Sequence, residues 1–97
     1  MSGGDWKTMF KAIQDNDIEL VKMYLRLGMD PNYQHPEVMA LPISESIRYN
    51  NIAIIELLLA NGADLSIIEM ESGVTPLKLA ENRNNKDIIA LINQFVN

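Results

Sequence analysis

The chain repeats itself. Asn16, Asn50 and Asn84 stand 34 residues apart, and sliding the sequence by that interval aligns many other positions. Gly28 falls on Gly62, Asp30 on Asp64, Pro42 on Pro76 and Leu25 on Leu59. Leu20-Val21 coincides with Ile54-Ile55 and Ile88-Ile89, and Ala12 meets Ala80 two intervals away. A period of roughly 20–50 residues marks units that cannot bury their apolar faces alone and must stack on their neighbours. The chain reads as one domain over 1–97, built of two full units and a shortened third, at about 5–38, 39–72 and 73–97.

Each unit reads as a pair of helices. Pro42 and Pro76 suit the first helical turn, where proline's φ is correct and its missing N–H leaves no partner wanting. Thr75 precedes Pro76 and is placed to cap that helix with its hydroxyl. The repeated asparagine follows about eight residues later and tolerates the left-handed conformation that ends a helix. The next residue, Asp17, Asn51 or Asn85, is placed to cap a second helix. That helix carries apolar residues at i, i+1, i+4 and i+5, namely Leu20, Val21, Tyr24 and Leu25, then Ile54, Ile55, Leu58 and Leu59. Such spacing predicts one broad buried face, with Gly28 and Gly62 ending the helix. Asn61-Gly62 between apolar runs is also a hairpin signal. The matching stretch Leu25–Asp30 has no such dipeptide yet keeps the helical spacing, so helix is favoured over hairpin.

Composition narrows the function. The 97 residues include no cysteine, one histidine and 47% hydrophobic residues, with a net charge of −5. Disulfides and thiolate chemistry are excluded. The eight basic residues are scattered, so nucleic-acid binding is not expected. No apolar run reaches the roughly 20 residues of a membrane span, and Met1-Ser2-Gly3-Gly4-Asp5 does not read as a secretory leader. A cytoplasmic location is expected.

The segments Glu56–Asp64 (ELLLANGAD) and Thr75–Ala80 (TPLKLA) closely resemble the two hallmark stretches of ankyrin repeats. The resemblance covers about Trp6 to Ile92. It implies an all-α solenoid of stacked antiparallel helix pairs, with projecting β-turn or hairpin fingers and a groove that binds another protein. The chain departs from the family pattern where Phe10, Ser44 and Lys78 replace the usual histidine, where asparagine replaces the glycine ending the first helix, and in its period of 34 against about 33. The first finger, residues 31–37, lacks glycine and contains two prolines. Trp6, Met9 and Phe10 are expected to close the first repeat, and Phe95-Val96 to extend the last helix over the end.

By the same resemblance, partner contacts fall at the ends of the first helices and the finger tips. These are Gln14, Asp15, Arg48, Tyr49, Asn82 and Arg83, together with Tyr33, His35, Glu37, Met70 and Glu71. Arg48 and Tyr49 are the leading pair, since both residue types dominate interface energies. Replacing both with alanine is expected to spare the helical melt while weakening binding.

Catalytic hardware is not evident. Asp15-Asn-Asp-Ile-Glu19 resembles the start of a calcium loop, but Leu20 stands where that loop needs glycine and Arg26 where it needs glutamate. Glu69 and Glu71 flank Met70 and read as a solvated pair on a finger, and His35 as similarly exposed. Met9, Met23 and Met29 read as core filling, whereas Met70, with Ile67 and Ile68, resembles an interface centre. The expected function is thus a protein-binding module without enzymatic activity, cofactor or metal: an adaptor, inhibitor or immunity-type neutraliser. The acidic charge suits a basic partner, and the chain is expected to be a monomer or weak homodimer. The alternatives are a structural protein that self-associates through its terminal repeats, and a metal-binding or enzymatic protein.

Overall fold

The computed structural model describes residues 5–96. Of the Met1–Asp5 stretch read for a leader, Met1–Gly4 lie outside the described residues. Six helices follow in order: α1 Asp5–Gln14, α2 Ile18–Arg26, α3 Pro42–Arg48, α4 Ile52–Ala60, α5 Pro76–Asn82 and α6 Lys86–Val96. Among the described residues there is no strand: α4 is helical and ends just before the Asn61-Gly62 dipeptide that offered a hairpin. Each unit packs its own two helices together (α1 with α2, α3 with α4, α5 with α6). Neighbouring units stack first helix on first helix and second on second. The described residues span 34 × 25 × 22 Å.

The turn within each pair is set by its asparagine. Asn16, Asn50 and Asn84 have φ of 57, 56 and 54°, and the following residue sends its N–H back to the carbonyl of Ala12, Ser46 or Ala80. Asp17 and Asn85 then accept the N–H groups of Leu20 and Ile88, at 3.2 Å each, as N-caps. Asn51 does not cap α4. Its side-chain amide donates instead to the Ile13 carbonyl of the preceding repeat. Thr75 caps α5 through Lys78 N–H as its position predicts. Gly28 and Gly62 have φ of 93 and 94° and lie just beyond α2 and α4.

The second helices supply the continuous core. Ile54, Ile55 and Leu58 of α4 are fully buried between Val21 on one side and Ile88 and Ile92 on the other, with Ile13, Leu41, Ile43 and Ile47 beneath. A separate cluster at the first repeat joins Trp6, Phe10 and Ala40, with Met29 and Val38 against it. Trp6, Met9 and Phe10 therefore do close that repeat. At the other end α6 continues to Val96, but Phe95 and Val96 remain half-exposed rather than covering the stack. Met23, read as core filling, is 42% exposed.

Candidate protein-interaction surface

The register places Gln14, Arg48 and Asn82 at one level of α1, α3 and α5, and Asp15, Tyr49 and Arg83 just beyond. Three of these polar groups are committed to the stack. Gln14 Nε2 donates to Glu45 Oε2 at 2.8 Å, linking the first repeat to the second. An Arg83 guanidinium N–H donates to the Arg48 carbonyl at 2.9 Å, linking the third repeat to the second. Arg48 itself holds Glu45 through Nε at 2.9 Å, and both oxygens of Glu69 through Nη1 and Nη2 at 2.8 and 2.6 Å.

Glu69 is the residue that the sequence reading placed wrongly. It is not a solvated finger carboxylate, because its side chain is completely buried. The same carboxylate accepts the Leu41 N–H at 3.0 Å, just before α3. A buried carboxylate is tolerated only when it is paired and hydrogen-bonded, and here a bidentate guanidinium and a backbone N–H meet both needs. Burial alone would push its pKa up. Hydrogen bonds from Arg48 and Ser72, the Arg48 charge and the Leu41 N–H outweigh that and hold it below the usual carboxylate range. Arg48 is pushed the other way: hydrogen bonding to Glu69 leads, burial opposes, and attraction to Glu69 and Glu45 adds to the rise. His35, which holds the same register position one repeat earlier, also turns inward in the structure. The His35 ring stacks on Trp6 with centroids 3.6 Å apart, and its Nδ1 accepts Glu37 N–H at 3.1 Å. His35 is thus half-buried rather than freely exposed.

The remaining predicted contacts face solvent. Tyr49 is 48% exposed at the end of α3, and Tyr33 stands edge-on to His35 with its ring open to water. Met70 and Glu71 are exposed at the tip of the second finger, as is Glu37 on the first, where it meets Lys7 Nζ at 3.5 Å. Asp15 pairs with Lys11 at 3.1 Å, and Asn82 is exposed. An open depression lined by Asn50, Arg83, Asn84, Asn85, Lys86 and Asp87 lies at the turns of the second and third repeats. Among the described residues no group of three or more His, Asp or Glu side chains could hold a metal ion, and no helix is long and apolar enough to cross a membrane. Gln14, Arg48 and Arg83 therefore tie neighbouring repeats together, while Tyr33, Tyr49, Met70, Glu37, Glu71 and the outer part of Arg83 stay open to solvent.

Comparison with known proteins returns the same repeat. The family described as ankyrin repeats (3 copies) matches residues 9–96. A putative ankyrin repeat protein, R598, of Acanthamoeba polyphaga mimivirus is 35% identical over 91% of this chain and 25% of its own length. The human 2-5A-dependent ribonuclease is 35% identical over 74% of this chain and 10% of its own. The ARF GTPase-activating protein Git of Drosophila melanogaster is 29% identical over 84% of this chain and 11% of its own. The chain therefore spans between a tenth and a quarter of these curated relatives.

Proposed function

This chain belongs to the ankyrin-repeat family, and from that premise we propose that it is a non-catalytic protein-binding module. Ankyrin repeats are in general protein–protein interaction modules. One observation supports the reading for these residues in particular: Tyr33, Tyr49 and Met70 stay open to solvent on the face formed by the first-helix ends and the fingers. Tyrosine side chains on a rigid frame supply binding energy at low cost in conformational entropy, and a methionine adapts to an apolar partner. The module acts by occupying a surface of its partner, as an adaptor, an inhibitor or an immunity-type neutraliser. A net charge of −5 favours a basic partner, mainly by speeding encounter. The proposed setting is the cytoplasm and the proposed state a monomer.

Because Arg48 is held inside the stack, Tyr49 alone is the clean probe of the helix-end contacts. Tyr49→Ala combined with Tyr33→Ala should leave the circular-dichroism melt nearly unchanged and weaken retention of partner proteins from native lysate more than tenfold. Equal retention by the double variant would dispose of this surface assignment. A second reading, self-association, is favoured by the half-exposed Phe95 and Val96 at the end of α6. A molecular mass that rises with concentration would support it.

A further inference from the structure

Met39 has a backbone conformation that side chains avoid. Its φ is 60°, in the left-handed region where Cβ is crowded. One repeat later the same register position is Gly73, with φ of 73°, so the turn before α3 and the turn before α5 both call for such a residue. Glycine meets that demand without crowding. The other non-glycine residues described with positive φ are Asn16, Asn50 and Asn84, a side chain that tolerates this region. Methionine is the outlier, and burial does not account for it, because Met39 is 42% exposed. Strain carried at a surface side chain is a reason to look for a use.

The surroundings indicate which use. The Met39 carbonyl accepts Glu71 N–H at 2.8 Å. Gln34 Nε2 donates to the Ile68 carbonyl at 3.3 Å, and Gln34 Oε1 accepts Met70 N–H at 2.7 Å. These three bonds brace the first finger against the second. Ile68 and Met70 flank the inward Glu69, and both are more than half exposed. Flexible, polarisable methionine side chains adapt to an apolar partner. Two exposed carboxylates neighbour these residues in the chain: Glu37, two residues before Met39 and paired with Lys7, and Glu71, next to Met70 and paired with no cation among the described residues. A second copy of this chain would bring like charge against them, whereas a basic segment brings the complement.

We infer that Met39, Ile68 and Met70 form an apolar anchor site for a segment of a partner protein in which one bulky apolar side chain lies between lysine or arginine residues. The inference rests on the protein-binding reading, but it moves the anchor from the helix ends to the finger tips and fixes the partner's chemistry. Gln34 holds the two fingers together through its bonds to Ile68 and Met70.

The test pans a library of short random peptides against the folded, immobilised chain. Enriched peptides are then titrated calorimetrically against the wild type, Met39→Gly, Met70→Ser and Tyr49→Ala. Enriched sequences should carry an apolar residue flanked by basic ones. Met39→Gly and Met70→Ser should each weaken them at least roughly tenfold, and added salt should weaken them further. Met39→Gly should melt no lower than the wild type, since glycine suits the left-handed turn; if it fails to fold, Met39→Asn takes its place. Peptides without basic residues, or full affinity in both finger variants, would overturn the inference. Peptides sensitive to Tyr49→Ala but not to the finger variants would overturn it and leave the protein-binding reading standing. A library that yields no binder counts against both.

Discussion

Single residues fix the backbone where this fold cannot bend otherwise. Asn50 holds φ of 56°, and its Oδ1 also accepts the Asn85 amide at 2.8 Å. Asn50→Val puts a β-branched side chain in the left-handed region and should cost about 1–2 kcal/mol. Asn50→Gly keeps the conformation and should cost less, and chemical denaturation of the two side by side checks the difference. Ser44 poses the opposite case. Its Oγ is buried in α3 with no hydrogen-bond partner among the described residues, and such an orphaned group costs about 1–3 kcal/mol. Ser44→Ala should therefore raise stability by about 1 kcal/mol, visible as a higher denaturant midpoint with an unchanged slope. The asparagine conformations were legible in the sequence because few residue types accept them. Glu69 was not, because its pattern of neighbours reads equally well as a solvated turn.

At the scale of elements, a short helix is clamped to a finger by one ion pair. α3 has seven residues, too short to persist without tertiary support. Glu69 grips both its ends, through Leu41 N–H at the start and Arg48 at the finish. Arg48→Ala would leave a buried carboxylate without its cation, which costs about 3 kcal/mol. For a domain of this size, that lowers the melting temperature by roughly 12–24 °C. The expectation that alanine at position 48 spares the melt is therefore replaced by its opposite. A melt of Arg48→Ala within a few degrees of wild type would show that the clamp contributes little. The pH dependence follows from the depressed pKa of Glu69. Its contribution is fully present above the unfolded carboxylate value, about 4.3, and is lost as pH falls through the lower folded value. Thermal melts from neutral pH into acid should thus show a steep loss at the acid end, shallower in Glu69→Gln. Asp64 stays as a residual contributor, since hydrogen bonds from the Ser66 hydroxyl and backbone also lower its pKa.

For the whole molecule, the ends decide whether the stack closes on itself or joins another. Ile43, Ile47, Ile55 and Leu59 of the central repeat are buried. The same register in the third repeat holds Leu77, Glu81, Ile89 and Asn93, of which Glu81 and Asn93 are exposed. Two apolar contacts have been exchanged for polar ones, as an outward face in water requires. The chain is expected to sediment as a monomer. Glu81→Ile with Asn93→Leu restores the central pattern and should make the mass rise with concentration. A wild-type mass that rises in the same way would favour self-association through the ends instead.

The sequence by itself determined the repeat, the six helices, the left-handed asparagines and the glycine stops. Each of these follows from local sterics and from a periodicity carried by neighbouring residues. It also marked Tyr49 and Met70 as residues that reach solvent. Only the tertiary structure decided which polar side chains remain available to a partner. Arg48 and Glu69 are 21 residues apart in the chain yet joined bidentately, and Gln34 braces Met70 across 36. Contacts between one finger and the next helix depend on how the repeats stack, and no local pattern encodes that. The helix-end arginine thus became part of the frame, and the accessible apolar surface fell to the finger tips.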